Sequence, residues 1–142
     1  MKNLKQLKGD ASTRKFFRKK STNSTSIIIF SKKEKIKNLL VYDAINKILI
    51  KNKILAPILY TENYKKNFIE VEDFGNRTIL QILNKSKNRF FYFKRVIKLL
   101  NQIQSIKDKT VKDFKNKNYK IPNYGRRELI KEANLFCEWY VK

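Results

Sequence analysis

A chain of 142 residues in which 42% are hydrophobic is long enough for one domain or one lobe with a real core, which excludes a wholly disordered polymer. One cysteine, Cys137, and no histidine exclude a disulfide framework and any Cys/His zinc site within these residues. The net charge of +22 suggests a polyanionic partner, but the lysines are spread through every region among asparagine and isoleucine. No basic stripe emerges, so the charge argues for compositional bias, as AT-rich coding would give, rather than for a nucleic-acid surface.

The first distinctive stretch is Gly9-Asp10-Ala11-Ser12-Thr13-Arg14. Glycine lets a backbone come close to an anion, Ser12 and Thr13 offer hydroxyl donors, and Arg14 and Arg18 offer charge-assisted hydrogen bonds. That composition suits phosphate binding, and it equally suits a polar hairpin turn on a basic surface. After it, Phe16-Phe17-Arg18 reads as a short strand, 21–26 as a turn, and Ile27-Ile28-Ile29-Phe30 as a strand buried on both faces. From Lys33 to about Asn52, Ile36, Leu39, Leu40, Ala44, Ile45, Ile48 and Leu49 recur at helical spacing. Ala56-Pro57 forces extended backbone into a hairpin of Ile58-Leu59-Tyr60 and Phe68-Ile69-Glu70-Val71-Glu72.

Beyond Asp73-Phe74-Gly75-Asn76 the pattern becomes helical, with Ile79, Leu80, Ile82 and Leu83 on a short segment. Phe90, Phe93, Ile97, Leu100 and Gln104 mark one face of a longer one. The charged stretch 107–120 reads as a loop or linker, 121–124 as extended, and Arg127 to Val141 as a last helix carrying Leu129, Ala133, Phe136 and Tyr140. The expected class is α+β: about five antiparallel strands with one inserted helix, followed by helices. The basic N-terminus lacks the apolar run of a secretory signal, and no run approaches the ~20 apolar residues of a membrane span. These features predict a soluble, cytoplasmic protein without a membrane partner.

The order of elements and three strings resemble the aminoglycoside phosphotransferase-like kinases, in particular the bacterial branch that phosphorylates N-acetylmuramate or N-acetylglucosamine at the anomeric position. Gly9-Asp10-Ala11-Ser12-x-Arg14-x-Phe16-x-Arg18 resembles that branch's G-D-A-S-x-R-x-Y-x-R opening, and Val71-Glu72-Asp73-Phe74-Gly75-Asn76 its L-E-D-L-G-D hinge. Glu128 with Leu135-Phe136-Cys137-Glu138-Trp139-Tyr140 resembles its E-x-x-L-F-x-x-W-Y helix. The resemblance implies a kinase-like N-terminal lobe over residues 1–75 and the helical start of a C-terminal lobe over 76–142. It further implies ATP as cofactor, bound through Gly9, Asp10, Ser12, Arg14, Arg18 and the hinge residues Glu72, Asp73, Phe74 and Gly75, with a small sugar as substrate.

Phe30 stands about where protein kinases carry a phosphate-contacting lysine. Arg14 or Arg18 is the geometric substitute and Lys32 a weaker one, each with surface charge as its rival reading. Glu34 and Asp43 are the helix acids that would pair with such a cation, although a first-turn role and a solvated face explain them more simply. Phe90-Phe91-Tyr92-Phe93, Trp139 and Tyr140 read as packing rather than base stacking, and Glu132 and Glu138 as neighbours of a sugar side where packing again suffices.

A chain without histidine lacks the H-x-D-x-H-x-x-N loop of this superfamily, and neither Asp108 nor Asp113 has its surroundings. Mg²⁺ would then be held by a part of the family's fold that these residues do not supply. They read as a nucleotide-binding portion, inactive alone, with no catalytic or metal-ligating residue assigned. The alternatives are a basic nucleic-acid-binding module and a non-catalytic lobe that docks a partner through Phe136, Trp139 and Tyr140.

Overall fold

The computed structural model describes residues 4–7, 14–123 and 125–141. Gly9, Asp10 and Ser12 lie outside the described residues, as does the side chain of Glu34. Seven strands and four helices follow in chain order: β1 (Leu4–Leu7), β2 (Lys15–Lys20), β3 (Thr25–Phe30), α1 (Lys37–Lys51), β4 (Leu59–Asn63), β5 (Phe68–Glu72), α2 (Ile79–Lys85), α3 (Arg89–Gln104), β6 (Thr110–Lys112), β7 (Asn118–Lys120) and α4 (Arg126–Tyr140). The class is α+β. Five antiparallel strands form one sheet in the order β1-β2-β3-β5-β4, with α1 inserted between β3 and β4.

Alternation along the strands sorts their side chains onto two faces. In register, Leu7 pairs with Phe16, Phe16 with Ile29, Ile29 with Ile69, and Ile27 with Val71. These residues share the inner face, where Ile29, Ile69 and Val71 pack against Leu39 of α1, flanked by Phe16, Ile27, Ile36, Tyr42 and Leu59. On this face of β3 Ile29 is buried and Ile27 half-buried. On the outer face Ser26 is buried and Ile28 and Phe30 are half-buried, so the strand expected to be buried on both faces is only partly covered on each. The outer face also carries a polar cluster in which Glu70 accepts from Ser26 Oγ at 2.5 Å and from Lys19 Nζ at 3.0 Å.

Helix α1 buries Leu39, Ala44 and Ile48, as its spacing requires, and also Asp43. Asp43 is 3% exposed, with Oδ2 2.7 Å from Lys47 Nζ one turn on, which corrects its reading as a solvated-face acid. Tight turns complete the sheet. Asn67 at φ 62° closes the β4–β5 hairpin, and the Asn63 side chain accepts from the backbone of Lys66.

The segment expected to be a charged linker is instead ordered: β6 and β7 form a hairpin through Lys112↔Asn118. Its turn is held by Asp113 Oδ1, which accepts from Lys115 N at 2.8 Å and Lys117 N at 3.1 Å. Phe114 then packs against the core, with its ring centroid 5.9 Å from that of Tyr64. Asp108 ties the end of the α3 connection to α1, accepting from Lys51 Nζ and from Asn52 Nδ2.

The later helices begin as their sequences direct. Thr78 and Gln81 form a reciprocal capping box on α2, and Asn88 caps α3. Yet no described residue of α2, α3 or α4 is buried, and Phe90 is 77% exposed. Of the packing expected of Phe90-Phe91-Tyr92-Phe93, Trp139 and Tyr140, the described residues show an edge-to-face Phe91–Tyr92 pair at 5.3 Å with Tyr92 half-buried and a stacked Phe136–Tyr140 pair at 5.2 Å, while Phe90, Phe93, Trp139 and Tyr140 are exposed.

Stability therefore resides in the sheet and α1. Leu39→Ala should destabilise the chain by about 2–5 kcal/mol in urea unfolding, whereas Ile97→Ala on exposed α3 should change it by less than about 0.5 kcal/mol.

Candidate functional site

The inner face of the sheet opens at one side into a cleft of about 270 Å³. Leu7, Phe16, Ile27, Tyr42, Pro57 and Val71 supply apolar walls, and Arg18 with Glu72, Asp73, Phe74 and Gly75 closes one end. Sequence reasoning named five of these residues as ligand contacts, Arg18 and the four hinge positions, and the fold brings all five together. It also identified Phe16 and Ile27 as strand residues without assigning them to a site. Tyr42 it did not single out at all, because a lone tyrosine on an amphipathic helix carries no signal of its own.

Arg18 and Asp73 dominate the closed end. Arg18 Nε donates to Asp73 Oδ2 at 2.6 Å and Nη2 to Asp73 Oδ1 at 2.9 Å, a bidentate pair whose side chains are 12% and 3% exposed. Nη2 also donates to the Gly75 carbonyl at 3.0 Å, and Nη1 to Asn76 Oδ1. Four of the five guanidinium N–H groups are thereby engaged, leaving one for any other contact. Asp73 Oδ1 in turn accepts from Gly75 N at 2.8 Å. This turn requires a left-handed residue, and Gly75 sits at φ +81°, where any side chain would be strained whatever the space around it.

Burial by itself would raise the Asp73 carboxyl, but hydrogen bonds from Arg18, the Gly75 amide and Thr25, with the charge of Arg18, hold it below the ordinary aspartate value. The pair joins residues 55 positions apart and fixes the backbone as it leaves β5.

The other candidates fall in different places. Leu7 and Phe16, which flank the Gly9 segment in sequence, pair with each other and both line the cleft. Arg14 does not line the cleft; its guanidinium lies 5.3 Å from the centroid of the Tyr42 ring, which does. Phe30 faces away from the cleft, and the inner positions of β3 are Ile27 and Ile29, so this strand places no cation there. Lys32 is exposed beyond the end of β3. Asp43 is paired with Lys47 rather than with either arginine. Asp108 and Asp113 hold backbone and neighbouring side chains, as described above. Among the described residues no group of three or more His, Cys, Asp or Glu side chains could hold a metal ion, and no helix is long and apolar enough to cross a membrane.

Removing one partner of this partly buried pair leaves the other charge unpaired, so Asp73→Asn should cost about 1.5–3 kcal/mol at pH 7. Because the folded carboxyl lies below its unfolded value near 3.9, its contribution is present above about pH 4 and fades as pH falls through the folded value. Urea unfolding of wild type and Asp73→Asn at pH 7 and pH 3 should show the gap between them narrowing at the lower pH.

No family model matches the chain. It is 26% identical over 132 residues to an N-acetylmuramate/N-acetylglucosamine kinase of Pseudomonas putida. The match covers 93% of this chain and 36% of that protein, so the chain spans about a third of the length of the curated relative. This likeness, together with a five-stranded antiparallel sheet bearing one inserted helix, makes the chain distantly kinase-related.

Proposed function

We propose that the chain is the nucleotide-binding portion of an ATP-dependent phosphotransferase that acts on a sugar hydroxyl, with an amino sugar or cell-wall sugar such as N-acetylmuramate as substrate. The observation that carries this reading is the cleft itself, lined by Phe16, Ile27 and Val71 of the inner sheet face together with Tyr42 and Pro57, and ended by a hinge whose backbone Arg18 holds. A planar base fits such walls by burial of its faces, and hinge backbone groups supply the polar recognition. The resemblance of the surrounding strings, and the partial match to a sugar kinase, favour adenine over other planar rings.

On this reading the ring end of the cleft is the Glu72–Gly75 end and the phosphate end is the Arg14 end, next to the Gly9–Arg14 segment. Arg14 is the phosphate-side cation. Arg18 acts instead on the hinge, since its donors are largely spent on Asp73, Gly75 and Asn76. ATP, once bound, supplies the transferable phosphoryl group. The residues of this chain bind it, orient it and exclude water from its base. The sequence holds no H-x-D-x-H-x-x-N loop, so on this reading a lobe over 1–75 and a helical start over 76–142 hold the nucleotide, and transfer belongs to a part of the family's fold that these residues do not supply.

Calorimetry should detect weak ATP binding that Arg14→Ala lowers about tenfold, the worth of one hydrogen bond to a charged group. Phosphate transfer to N-acetylmuramate or N-acetylglucosamine by these 142 residues alone should be undetectable. Undiminished ATP binding by Arg14→Ala would contradict the assignment of the phosphate end.

A further inference from the structure

We propose that the groove between α1, the end of α3 and the base of the β6–β7 hairpin is a second ligand site, taking an amphiphile with an unbranched aliphatic chain and one carboxylate. The groove has a volume of about 680 Å³, against about 270 Å³ for the cleft, and the two share no described lining residue. The site stands apart from the nucleotide reading and does not depend on it.

Its walls divide by chemistry. Helix α1 contributes Ile45, Ile48 and Leu49, while Ile103 and Ile106 come from the last turn of α3 and its exit. No aromatic ring stands among the described lining residues, so these walls reward burial of a plain hydrocarbon and offer nothing for a ring to stack on. The hairpin side carries the polarity. Ile121 N donates to the Lys109 carbonyl at 2.9 Å, which continues the pairing beyond Thr110↔Lys120 and sets Lys107 across from Asn123. Lys107, Asp108, Lys109 and Asn123 all line the groove. Asp108 is already engaged, with Oδ1 accepting from Lys51 Nζ and Oδ2 from Asn52 Nδ2 at 2.8 Å. The ammonium groups of Lys107 and Lys109 form no ion pair among the described residues, so this edge carries two uncompensated positive charges.

A small anion would leave the aliphatic walls unused, and a neutral hydrocarbon would leave the lysine edge unused. An amphiphilic carboxylate uses both, its chain on the helix walls and its head accepting from Lys107, Lys109 or the Asn123 amide. A second copy of the chain suits the groove less well, because each copy brings a net charge of +22 and the two repel. The walls are also set before a ligand arrives. Asp108 ties the hairpin base to Lys51 and Asn52 at the end of α1, and Lys47 Nζ donates to the Lys112 carbonyl at 3.4 Å. Binding therefore need not order the site, which lowers its cost. Mostly apolar walls, a few polar groups and a volume within roughly 300–1,000 Å³ are the features of small-ligand sites.

Two titrations of the full chain test this. Amide shifts of isotope-labelled chain with dodecanoate, kept below its micellar range, locate the site. Saturable shifts are expected at Ile45, Leu49, Ile103 and Ile106 through Lys109. Calorimetry with octanoate, decanoate, dodecanoate and decanol then measures affinity, which should rise about 3- to 4-fold per added methylene. Decanol should bind about tenfold more weakly than decanoate, and Lys107→Ala/Lys109→Ala should weaken decanoate about tenfold while leaving decanol unchanged. Lys65→Ala/Lys66→Ala, which removes the same charge from the β4–β5 turn, should leave both ligands unchanged, and Ile103→Glu should weaken both. Shifts centred on α4, unsaturable shifts, no binding, or a flat chain-length series would each overturn the proposal. Equal losses in the two double-lysine variants would do so too, since they would reduce the effect to net charge. Broadening of the groove amides that grows with protein concentration in the absence of ligand would assign the groove to a second copy and likewise overturn it. Should Ile103→Glu fail to fold, the comparison of the two exposed lysine pairs still decides.

Discussion

The bidentate pair of Arg18 and Asp73 is the constraint on which the site depends. It joins β2 to the backbone just past β5, two places that the sheet order separates by β3. A partly buried pair of this kind is not primarily a source of stability, because drawing both charges out of water costs much of what their attraction returns. Its value here is geometric. One guanidinium holds a carboxylate, a carbonyl and a side-chain amide, and so fixes the conformation of Asp73 through Asn76. The left-handed Gly75 completes the turn that this arrangement demands.

With the hinge fixed, the rest of the cleft follows from strand periodicity. Alternation places Phe16 and Arg18 of β2 on the inner face, so a single strand supplies an apolar wall and a hinge clamp. The neighbouring strands contribute aliphatic surface at Leu7, Ile27 and Val71, and Glu72 at the end of β5. The result is a cleft with apolar walls and a polar end, where Arg18 fixes the backbone of Asp73 through Gly75.

Much of this was legible in the residues themselves. The apolar run at 27–30, the helical spacing from Ile36 to Leu49 and the Ala56-Pro57 break are strong local signals, and each became the expected element. The hinge was legible as a string but not as a device. Nothing in the sequence links Arg18 to Asp73 across 55 positions, and either residue alone reads as an ordinary surface charge. The β6–β7 hairpin escaped because each strand has three residues with one apolar side chain, Val111 or Tyr119, among lysines, too short for a period-two pattern to stand out. The burial of Asp43 escaped because its partner, Lys47, is what lets a carboxylate occupy the buried side of a helix. For α3 and α4 the periodicity predicted helices correctly, but an apolar stripe states what could be covered, not what covers it.

The central claim is that the cleft ended by Glu72–Gly75 takes the planar ring of a nucleotide. The most direct measurement is a titration of isotope-labelled chain with adenosine, followed by amide chemical shifts. The account predicts saturable shifts concentrated at Ile27, Val71 and Glu72 through Gly75, with the amides of α3 and α4 unmoved. Saturable shifts on α3 or α4 with a silent hinge, or no shifts at any adenosine concentration, would contradict it.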